Sequence, residues 1–404
     1  MQQKHKLRRK LIIHLFDYRN WLLVLVSIIF SVVFVEVLLQ AVHTLSPSLL
    51  SVEKQSKDYM TSNEYWKVWH YPNNAITHSL QCFKADYETN EFGLKDTFVD
   101  LKKAKIALIG DSYVEGYGVS NEHTIPSLLQ KSFGNQIEVL NFGTSGGFGN
   151  VHAAALYDNF AQEFEPDIVI VFFLSYNDLY DNVAAIDEGF ASDDLQLNYP
   201  TADSSDVFLS VTSQIEPKNV DNLPFGLFTP YFVKRGFGNL KSYVQIGLNV
   251  KFEFSEIIGF PYYPDEPYIL SQGYDLLEKS LRRFKELQAP NLILVNFPTP
   301  FQVDKNWKRT FEITNQVELD MKKPNVRISQ IAEKLKIPLF DPTNLAINYV
   351  DSTGMNYPYF YNECDKHFNK LGYKLMSDWL ANMLIEKEYV VKSENDTYQI
   401  IDRK

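Results

Sequence analysis

The sequence predicts an α/β fold in three layers (α/β/α), with a mostly parallel, five-stranded, flavodoxin-like sheet between two layers of helices. Two observations lead to this prediction. Short apolar segments alternate with amphipathic helical patterns from Lys105 onward, which is typical of a parallel sheet covered on both faces. A nearly continuous apolar segment between Trp21 and Val42 precedes this region and predicts one transmembrane helix.

The overall composition narrows the possible functions. The chain of 404 residues carries a net charge of −11 at pH 7, which argues against a nucleic acid as its main partner. Its hydrophobic share of 45% and its charged share of 22% are those of a globular protein. The two cysteines, Cys82 and Cys364, lack a zinc-binding spacing, so we expect neither a metal nor another cofactor.

The amino-terminal region is predicted to anchor the chain in a membrane. Residues 1–20 are rich in lysine and arginine and form a predicted cytoplasmic tail, because positive charge favours the cytoplasmic side. Residues 21–42 follow as an uncleaved signal anchor. A cleaved signal peptide is the alternative, disfavoured because the apolar segment exceeds a usual signal-peptide core and no A-x-A site follows. The remaining chain is then expected on the extracytoplasmic side, in the periplasm or at the cell surface.

Residues 43–87 are interpreted as a juxtamembrane connector, because they are mixed in polarity and show no clear periodicity. The segment contains an aromatic cluster of Trp66, Trp69, His70 and Tyr71. This cluster could contact either the membrane surface or the catalytic domain, and the sequence leaves both alternatives open.

Residues 88–404 are predicted to form the principal domain. Its strands are predicted from short apolar segments at 106–109, 137–142, 167–174, 292–297 and 337–340. Its helices are predicted at 124–133, 151–164, 270–287, 325–335 and 370–384. Residues 183–268 interrupt the alternation, and their length exceeds that of an ordinary crossover, which indicates an insertion with local structure of its own.

Polar and glycine residues suited to catalysis follow four of the predicted strands. In chain order they are Ser112 in Gly110-Asp111-Ser112 after the first strand, Gly146 in a glycine-rich loop after the second, Asn177 after the third, and Asp365 with His367 after the fifth. Because the carboxyl ends of parallel strands meet at one edge of an α/β sheet, we expect these residues to lie close together.

Together these residue types suit acyl transfer. Ser112 is a candidate nucleophile once a base accepts its proton, and His367 is the candidate base. Asp365 is expected to orient the His367 ring and to stabilise its protonated form. Acyl transfer places a negative charge on the carbonyl oxygen, and this oxyanion needs hydrogen-bond donors. The backbone N–H groups of Ser112 and Gly146 and the side-chain amide of Asn177 can supply them.

This set of motifs resembles the SGNH (GDSL-type) hydrolase superfamily in its membrane-anchored bacterial form. The resemblance covers about residues 88–384 outside the insertion and keeps the chain order of the family. It implies a serine hydrolase whose site residues are Ser112 as nucleophile, His367 as base, Asp365 as orienting carboxylate, and Ser112, Gly146 and Asn177 as oxyanion donors. The choice of Gly146 over its neighbour Gly147 comes from the resemblance alone, and Gly147 stays an alternative.

The last motif departs from the family pattern. The family commonly spaces its aspartate and histidine as Asp-x-x-His, whereas the spacing here is Asp365-Lys366-His367, one residue shorter. The third member of the triad is therefore less well defined than the other two, and Glu363 is an alternative partner for His367.

The two cysteines raise a separate hypothesis. If the domain lies outside the membrane, Cys82 and Cys364 can form a single disulfide bond. Two buried free thiols are an equally good interpretation, because the sequence alone carries no information on the distance between them.

The leading hypothesis for function is an extracytoplasmic serine ester hydrolase that acts through an acyl-enzyme on O-acyl groups of a surface or cell-wall carbohydrate. An O-acyltransferase is the first alternative, because the same triad serves when a sugar hydroxyl replaces water. A non-catalytic envelope scaffold or glycan-binding protein is the second. The expected partners are therefore an acylated carbohydrate and the membrane.

Overall fold

The computed structural model divides the chain into two compact units. One consists of residues 1–54 and 221–251, and the other of residues 55–220 and 252–404. The residues that the structure describes are 2–45, 59–80, 82–96, 99–201, 260–354, 359–393, 395 and 397–401.

The first unit contains the long helix α1 (Gln2–Leu45). This one helix includes both the basic tail and the apolar segment that follows it. Residues Tyr18–Val42 have a mean hydropathy of 3.0 and are not buried, and the Trp21 side chain is 72% exposed. A helix of this length and composition can span a membrane or serve as a signal sequence. The predicted apolar helix is confirmed, and its orientation in a membrane stays a prediction.

The second unit alternates strands and helices along the chain. Its described strands are β1 (Met60–Asn63), β2 (Lys67–His70), β3 (Ala75–Leu80), β4 (Phe83–Glu88), β5 (Ala104–Gly110), β6 (Ile137–Gly143), β7 (Ile168–Phe173), β8 (Ile293–Asn296), β9 (Leu339–Phe340), β10 (Val390–Lys392) and β11 (Tyr398–Ile400). Its described α-helices are α2 (Ser112–Glu115), α3 (Ile125–Phe133), α4 (Asn150–Asn159), α5 (Asp178–Asp187), α6 (Tyr268–Glu286), α7 (Pro300–Val303), α8 (Lys305–Asn315), α9 (Lys323–Leu335), α10 (Thr343–Thr353) and α11 (Lys370–Glu386).

Five parallel strands form the central sheet, in the order β6-β5-β7-β8-β9. Counted within the sheet this is the order 2-1-3-4-5 of flavodoxin-like folds, so the predicted fold class is confirmed. All five predicted strands occur close to their predicted bounds. The last strand begins only at Leu339, directly after Pro338, because proline has no backbone N–H to contribute to the ladder.

The core consists of two apolar layers, one on each face of the sheet. Alternate residues of a strand point to opposite faces, so Ala107 and Ile109 of β5 pack with α4 and α6, while Ile106 and Leu108 pack with α3 and α11. Strands buried on both faces require helices on both sides. The three-layer arrangement is therefore confirmed as well.

The described part of the predicted connector folds onto this core. Its two antiparallel hairpins, β1–β2 and β3–β4, include Trp66 and Trp69, whose side chains are fully buried. Both rings contact Phe160, with centroid separations of 5.4 and 5.8 Å, and Trp69 Nε1 donates to the Phe92 carbonyl at 2.9 Å. Of the two alternatives for the aromatic cluster, the structure therefore shows Trp66 and Trp69 in the core of the second unit, and the bounds 43–87 of the connector stay a prediction.

Most of the predicted insertion, residues 202–259, lies outside the described residues. Its described beginning includes the end of α5 and a turn that places Phe190 and Ala191 against Val151 and Leu276. The beginning of the insertion is therefore attached to the helical layer of α4 and α6.

Candidate active site

Ser112 lies where strand β5 turns into the short helix α2. The strand ends at Gly110, and Asp111 caps the helix because its Oδ1 accepts a hydrogen bond from the Tyr113 N–H at 2.9 Å. The helix ends within one turn, before Gly116. Ser112 is thus the first residue of a helix at the carboxyl edge of the sheet, where open α/β sheets bind ligands.

Ser112, His367 and Asp365 form a continuous row of polar contacts. The Ser112 hydroxyl and His367 Nε2 are 2.7 Å apart, and the other ring nitrogen, Nδ1, lies 3.3 Å from Asp365 Oδ2. The second contact is outside hydrogen-bond geometry, as is common for catalytic groups before substrate binds. With its hydrogen on Nδ1, the ring can accept the serine proton at Nε2. The structure therefore brings together the predicted nucleophile, base and carboxylate.

The backbone of Lys366 accommodates the short Asp-x-His spacing. Its φ of 70° is in the left-handed region, which turns the chain sharply within a single residue. Asp365 Oδ1 then accepts a hydrogen bond from the His367 N–H at 3.1 Å while Oδ2 faces the ring. The Tyr113 hydroxyl donates to the Lys366 carbonyl at 2.7 Å, which holds this turn against α2, called the nucleophile helix because it begins with the predicted nucleophile Ser112. One intervening residue is therefore enough to place the carboxylate beside the histidine.

The His367 ring packs against two tyrosines of residues 110–118, here called the nucleophile turn because they include the predicted nucleophile Ser112. Tyr113 and Tyr117 contact it with centroid separations of 4.9 and 4.4 Å. Glu363, the alternative partner, has an exposed side chain, and the carboxylate that contacts the ring is Asp365. Sequence reasoning did not single out the tyrosines, because only their position near Ser112 marks them.

Asn177 lies beside the nucleophile turn with its amide directed at carboxylates. Its Nδ2 donates to Asp111 Oδ2 at 3.0 Å and to Asp181 Oδ2 at 3.4 Å. The contact with Asp111, the residue before Ser112, brings Asn177 to the nucleophile turn, as predicted for an oxyanion donor. Its donation to an oxyanion stays a prediction, since one amide hydrogen would have to turn from a carboxylate to the substrate.

Burial affects three carboxyl groups near this amide. It raises the pKa of Asp111, and together with the charge of Asp111 it raises the pKa of Asp178 well above the usual range. The same two causes raise the pKa of Asp181 to about 7. Asp178 and Asp181 therefore carry less charge near neutral pH than exposed carboxyl groups, which weakens their repulsion of a negative charge that develops at Ser112.

The loop after β6 runs directly against the nucleophile helix. At Gly143 a Cβ atom would lie 2.0 Å from the Glu115 backbone nitrogen, so this approach requires glycine. The Thr144 N–H donates to the Gly110 carbonyl at 3.1 Å, and Gly146 follows with a φ of 97°. The structure therefore places the loop of Gly146 beside the nucleophile turn, and the donation of its N–H to an oxyanion stays a prediction.

Lys67, which sequence reasoning did not single out, contacts the same loop. Its Nζ donates to the Gly147 carbonyl at 2.6 Å and to Glu188 Oε1 at 2.7 Å. Glu188 also contacts His152 Nε2 at 2.9 Å, and His152 Nδ1 accepts a hydrogen bond from the Gly149 N–H at 3.1 Å. His152 therefore has a structural role at the start of α4. No local pattern marks Lys67, because only the folding of the hairpin brings it to this loop.

Cys82 and Cys364 form a disulfide bond, with 5.8 Å between their Cα atoms. The bond joins the turn between β3 and β4 to the loop that carries Asp365 and His367, so the interpretation as free thiols is wrong. The two sulfurs and Asp365 form the one group of three possible metal ligands found among the described residues. Sulfurs bonded to each other lack the thiolate charge that binds zinc.

The chain resembles several solved structures at low sequence identity, while no family model and no curated protein matches it. A G-D-S-L family protein from Desulfitobacterium hafniense is 15% identical, with a TM-score of 0.36 over 70% of this chain and 100% of that chain. The acetyl xylan esterase AlAXEase is 12% identical, with a TM-score of 0.37 and coverage of 70% and 100%. The lipase/acylhydrolase from Enterococcus faecalis is 13% identical, with a TM-score of 0.32 and coverage of 70% and 95%.

The sequence motifs of this chain resemble those of the SGNH (GDSL-type) hydrolases. The order of the sheet and the chain order of the site motifs agree with that resemblance. The roles of the individual residues are argued from the geometry of this site.

The two candidate carboxylates can be separated by mutation. We expect Asp365→Asn to lower kcat for an ester substrate by about 10²–10⁴-fold, because the amide cannot stabilise a protonated His367. Glu363→Gln removes a neighbouring exposed carboxylate and should leave kcat near the wild-type value. Steady-state kinetics with p-nitrophenyl acetate measure both variants. Equal losses in the two variants, or a loss in Glu363→Gln alone, would contradict the assignment of Asp365.

The disulfide is expected to stabilise both the fold and the catalytic loop. Replacing Cys82 and Cys364 together by serine should lower the free energy of unfolding by about 2–5 kcal/mol, and kcat should fall because the loop of His367 gains conformational freedom. Urea unfolding and ester hydrolysis, each with and without dithiothreitol, measure these effects. The double variant is the control, since it should not respond to dithiothreitol. Wild-type protein that is fully reduced and yet unchanged in stability and kcat would refute this role.

Proposed function

We propose that this chain is a serine ester hydrolase of the SGNH type that forms an acyl-enzyme on Ser112. The observation that supports it most is the row of contacts from the Ser112 hydroxyl through the His367 ring to Asp365, at 2.7 and 3.3 Å. A serine hydroxyl is a weak nucleophile by itself, and an adjacent oriented base activates it.

In the first half of the reaction, Ser112 Oγ attacks the carbonyl carbon of the ester. Its proton passes to His367 Nε2, and the electron pair of the carbonyl bond moves to the oxygen. The tetrahedral intermediate collapses when the bond to the alcohol oxygen breaks, and the departing oxygen takes the proton from His367. The acyl group is then bound to Ser112, while Asp365 has stabilised the imidazolium in between.

In the second half, water takes the place of the alcohol. Water attacks the acyl carbon while His367 accepts one of its protons, and this proton passes to Ser112 Oγ when the bond between the acyl carbon and Oγ breaks and the carboxylic acid leaves. The base therefore acts in both directions without any net change in its protonation.

The negative charge in each half develops on the former carbonyl oxygen. The backbone N–H groups of Ser112 and Gly146 and the amide of Asn177 are the proposed donors, each worth about 3 kcal/mol of transition-state stabilisation. Ser112 is the first residue of α2, where backbone N–H groups have no partner within the helix.

For the substrate we propose an O-acyl group on a carbohydrate. Tyr176, the neighbour of Asn177, contacts Phe301 with 5.7 Å between ring centroids, and Phe301 contacts Trp307 at 4.7 Å. Tyr176 and Trp307 are partly exposed, and amphipathic aromatic rings of this kind provide flat surfaces with a polar edge. This aromatic row, which begins at Tyr176 next to Asn177, supports a sugar as the group next to the ester.

For the location we propose the extracytoplasmic side of a membrane, with α1 as the anchor. The exposed apolar stretch Tyr18–Val42 and the basic residues before it support an orientation with the amino end in the cytoplasm. The disulfide between Cys82 and Cys364 also supports this side, because disulfides persist in oxidising compartments.

The nucleophile is tested with the purified full-length protein in detergent. We expect the wild type to release p-nitrophenol from p-nitrophenyl acetate and acetate from an acetylated xylo-oligosaccharide. Ser112→Ala should reduce both rates to the spontaneous background, because no other group forms the acyl-enzyme.

The control is Ser132→Ala, which removes an exposed hydroxyl on α3 that donates to the Leu128 carbonyl. This variant should keep the wild-type rates. Equal product release by wild type and Ser112→Ala would reject the proposed function. Hydrolysis of p-nitrophenyl acetate without any release of acetate from the oligosaccharide would reject the carbohydrate substrate, while the proposed ester-hydrolase activity would be retained.

A further inference from the structure

Glu115 is a buried carboxylate that the proposed mechanism does not use. It is the last residue of α2, in the same helical turn as Ser112, and it is 1% exposed. Its Oε2 accepts a hydrogen bond from the Ser145 hydroxyl. Because Ser145 directly precedes Gly146, this contact joins the nucleophile helix to the proposed oxyanion loop.

The backbone of Glu115 contacts the same loop. Asn141, near the end of β6, donates from Nδ2 to the Glu115 carbonyl at 3.3 Å and accepts a hydrogen bond from the Gly143 N–H at 3.0 Å. Gly143 in turn lies against the Glu115 backbone nitrogen. Glu115 is therefore attached to the loop at two places, around Gly143 through its backbone and at Ser145 through its side chain.

The residues after Ser145 need such an attachment. Gly146 and Gly147 have left-handed φ values of 97° and 73°, and glycine has the largest conformational freedom of any residue. Lys67 Nζ holds the Gly147 carbonyl on the far side of Gly146, and a second fixed point directly before Gly146 is needed to keep its N–H directed at the oxyanion. The Glu115 side chain belongs to the nucleophile helix and is buried, so its hydrogen bond with the Ser145 hydroxyl provides that fixed point.

The surroundings of Glu115 compensate part of the cost of burying a carboxylate. Burial raises the pKa of Glu115 to about 7, and the positive charge of Lys95 acts in the opposite direction. Lys95 is itself buried and donates from Nζ to the Gly116 carbonyl at 2.8 Å. Burial lowers the pKa of Lys95 to about 7, so its charge offsets only part of the burial cost of Glu115, and the contact that directs Oε2 at the loop is the one with the Ser145 hydroxyl.

We propose that Glu115 and Ser145 are positioning residues that fix the Gly146 N–H for stabilisation of the oxyanion. They act through Gly146 and do not touch the substrate. This inference rests on the proposed ester-hydrolase function, since it concerns the transition state of that reaction. Removal of a whole oxyanion donor lowers kcat by about 10²–10³-fold. A Gly146 N–H that is only less well positioned keeps part of its effect, so we expect loss of the hydrogen bond between Ser145 and Glu115 to lower kcat by about 10–100-fold.

The test compares Ser145→Ala and Ser145→Thr in the full-length protein, with kcat and KM measured on p-nitrophenyl acetate. Ser145→Ala removes the hydroxyl that donates to Glu115 and should lower kcat by about 10–100-fold with little change in KM, because the interaction is made in the transition state. Ser145→Thr retains the hydroxyl and should restore most of kcat.

The matched control is Ser280→Ala, which removes another buried hydroxyl hydrogen bond, from Ser280 to the Leu276 carbonyl within α6. We expect this variant to lose stability and to keep the wild-type kcat. A decrease in kcat that follows only from general loosening of the fold would therefore appear in Ser280→Ala as well.

The outcomes separate this inference from the function on which it rests. The inference is overturned if Ser145→Ala keeps the wild-type kcat, if it raises KM alone, if Ser145→Thr loses as much kcat as Ser145→Ala, or if Ser280→Ala loses as much. In all four cases the proposed ester-hydrolase function is retained, provided that Ser112→Ala is inactive. Equal hydrolysis by wild type and Ser112→Ala overturns the esterase and this inference together.

Discussion

The site depends on one hydrogen bond, between the Ser112 hydroxyl and His367 Nε2. It joins residues that are 255 positions apart in the chain, so the whole α/β unit must fold before the two groups meet. The parallel sheet brings the nucleophile turn to its carboxyl edge. The loop of His367 is then held there by the Tyr113 hydroxyl at the Lys366 carbonyl and by the disulfide from Cys82 to Cys364.

The sheet and the members of the triad could be predicted because their signals are local. Each central strand is a short apolar segment, and apolar segments between amphipathic helices indicate a parallel sheet. Ser112 directly follows the end of such a segment, at the edge where strand ends meet. In contrast, α10 separates β9 from His367, whose prediction depended on its motif before the last helix. The sequence therefore placed these residues together without any knowledge of distances, and the resemblance to SGNH hydrolases supplied their roles.

The remaining features depend on contacts between distant parts of the chain. Trp66 and Trp69 are buried because their hairpins pack on Phe160, and strands as short as these give too few residues to show a period. Lys366 takes a left-handed φ that sequence patterns associate with glycine or asparagine. The hydrogen bond from Ser145 to Glu115 requires two loops to meet. Packing therefore determines how accurately the site is positioned, whereas the local sequence determines which residues are present.

The central claim is that Ser112 is a nucleophile that His367 activates. Its most direct test is to treat the full-length protein with a fluorophosphonate, digest it and locate the covalent adduct by mass spectrometry. We predict a single adduct on the peptide that contains Ser112, formed much more slowly in His367→Ala, because the base no longer accepts the serine proton. An adduct on a different residue, or an unchanged rate in His367→Ala, would contradict the claim.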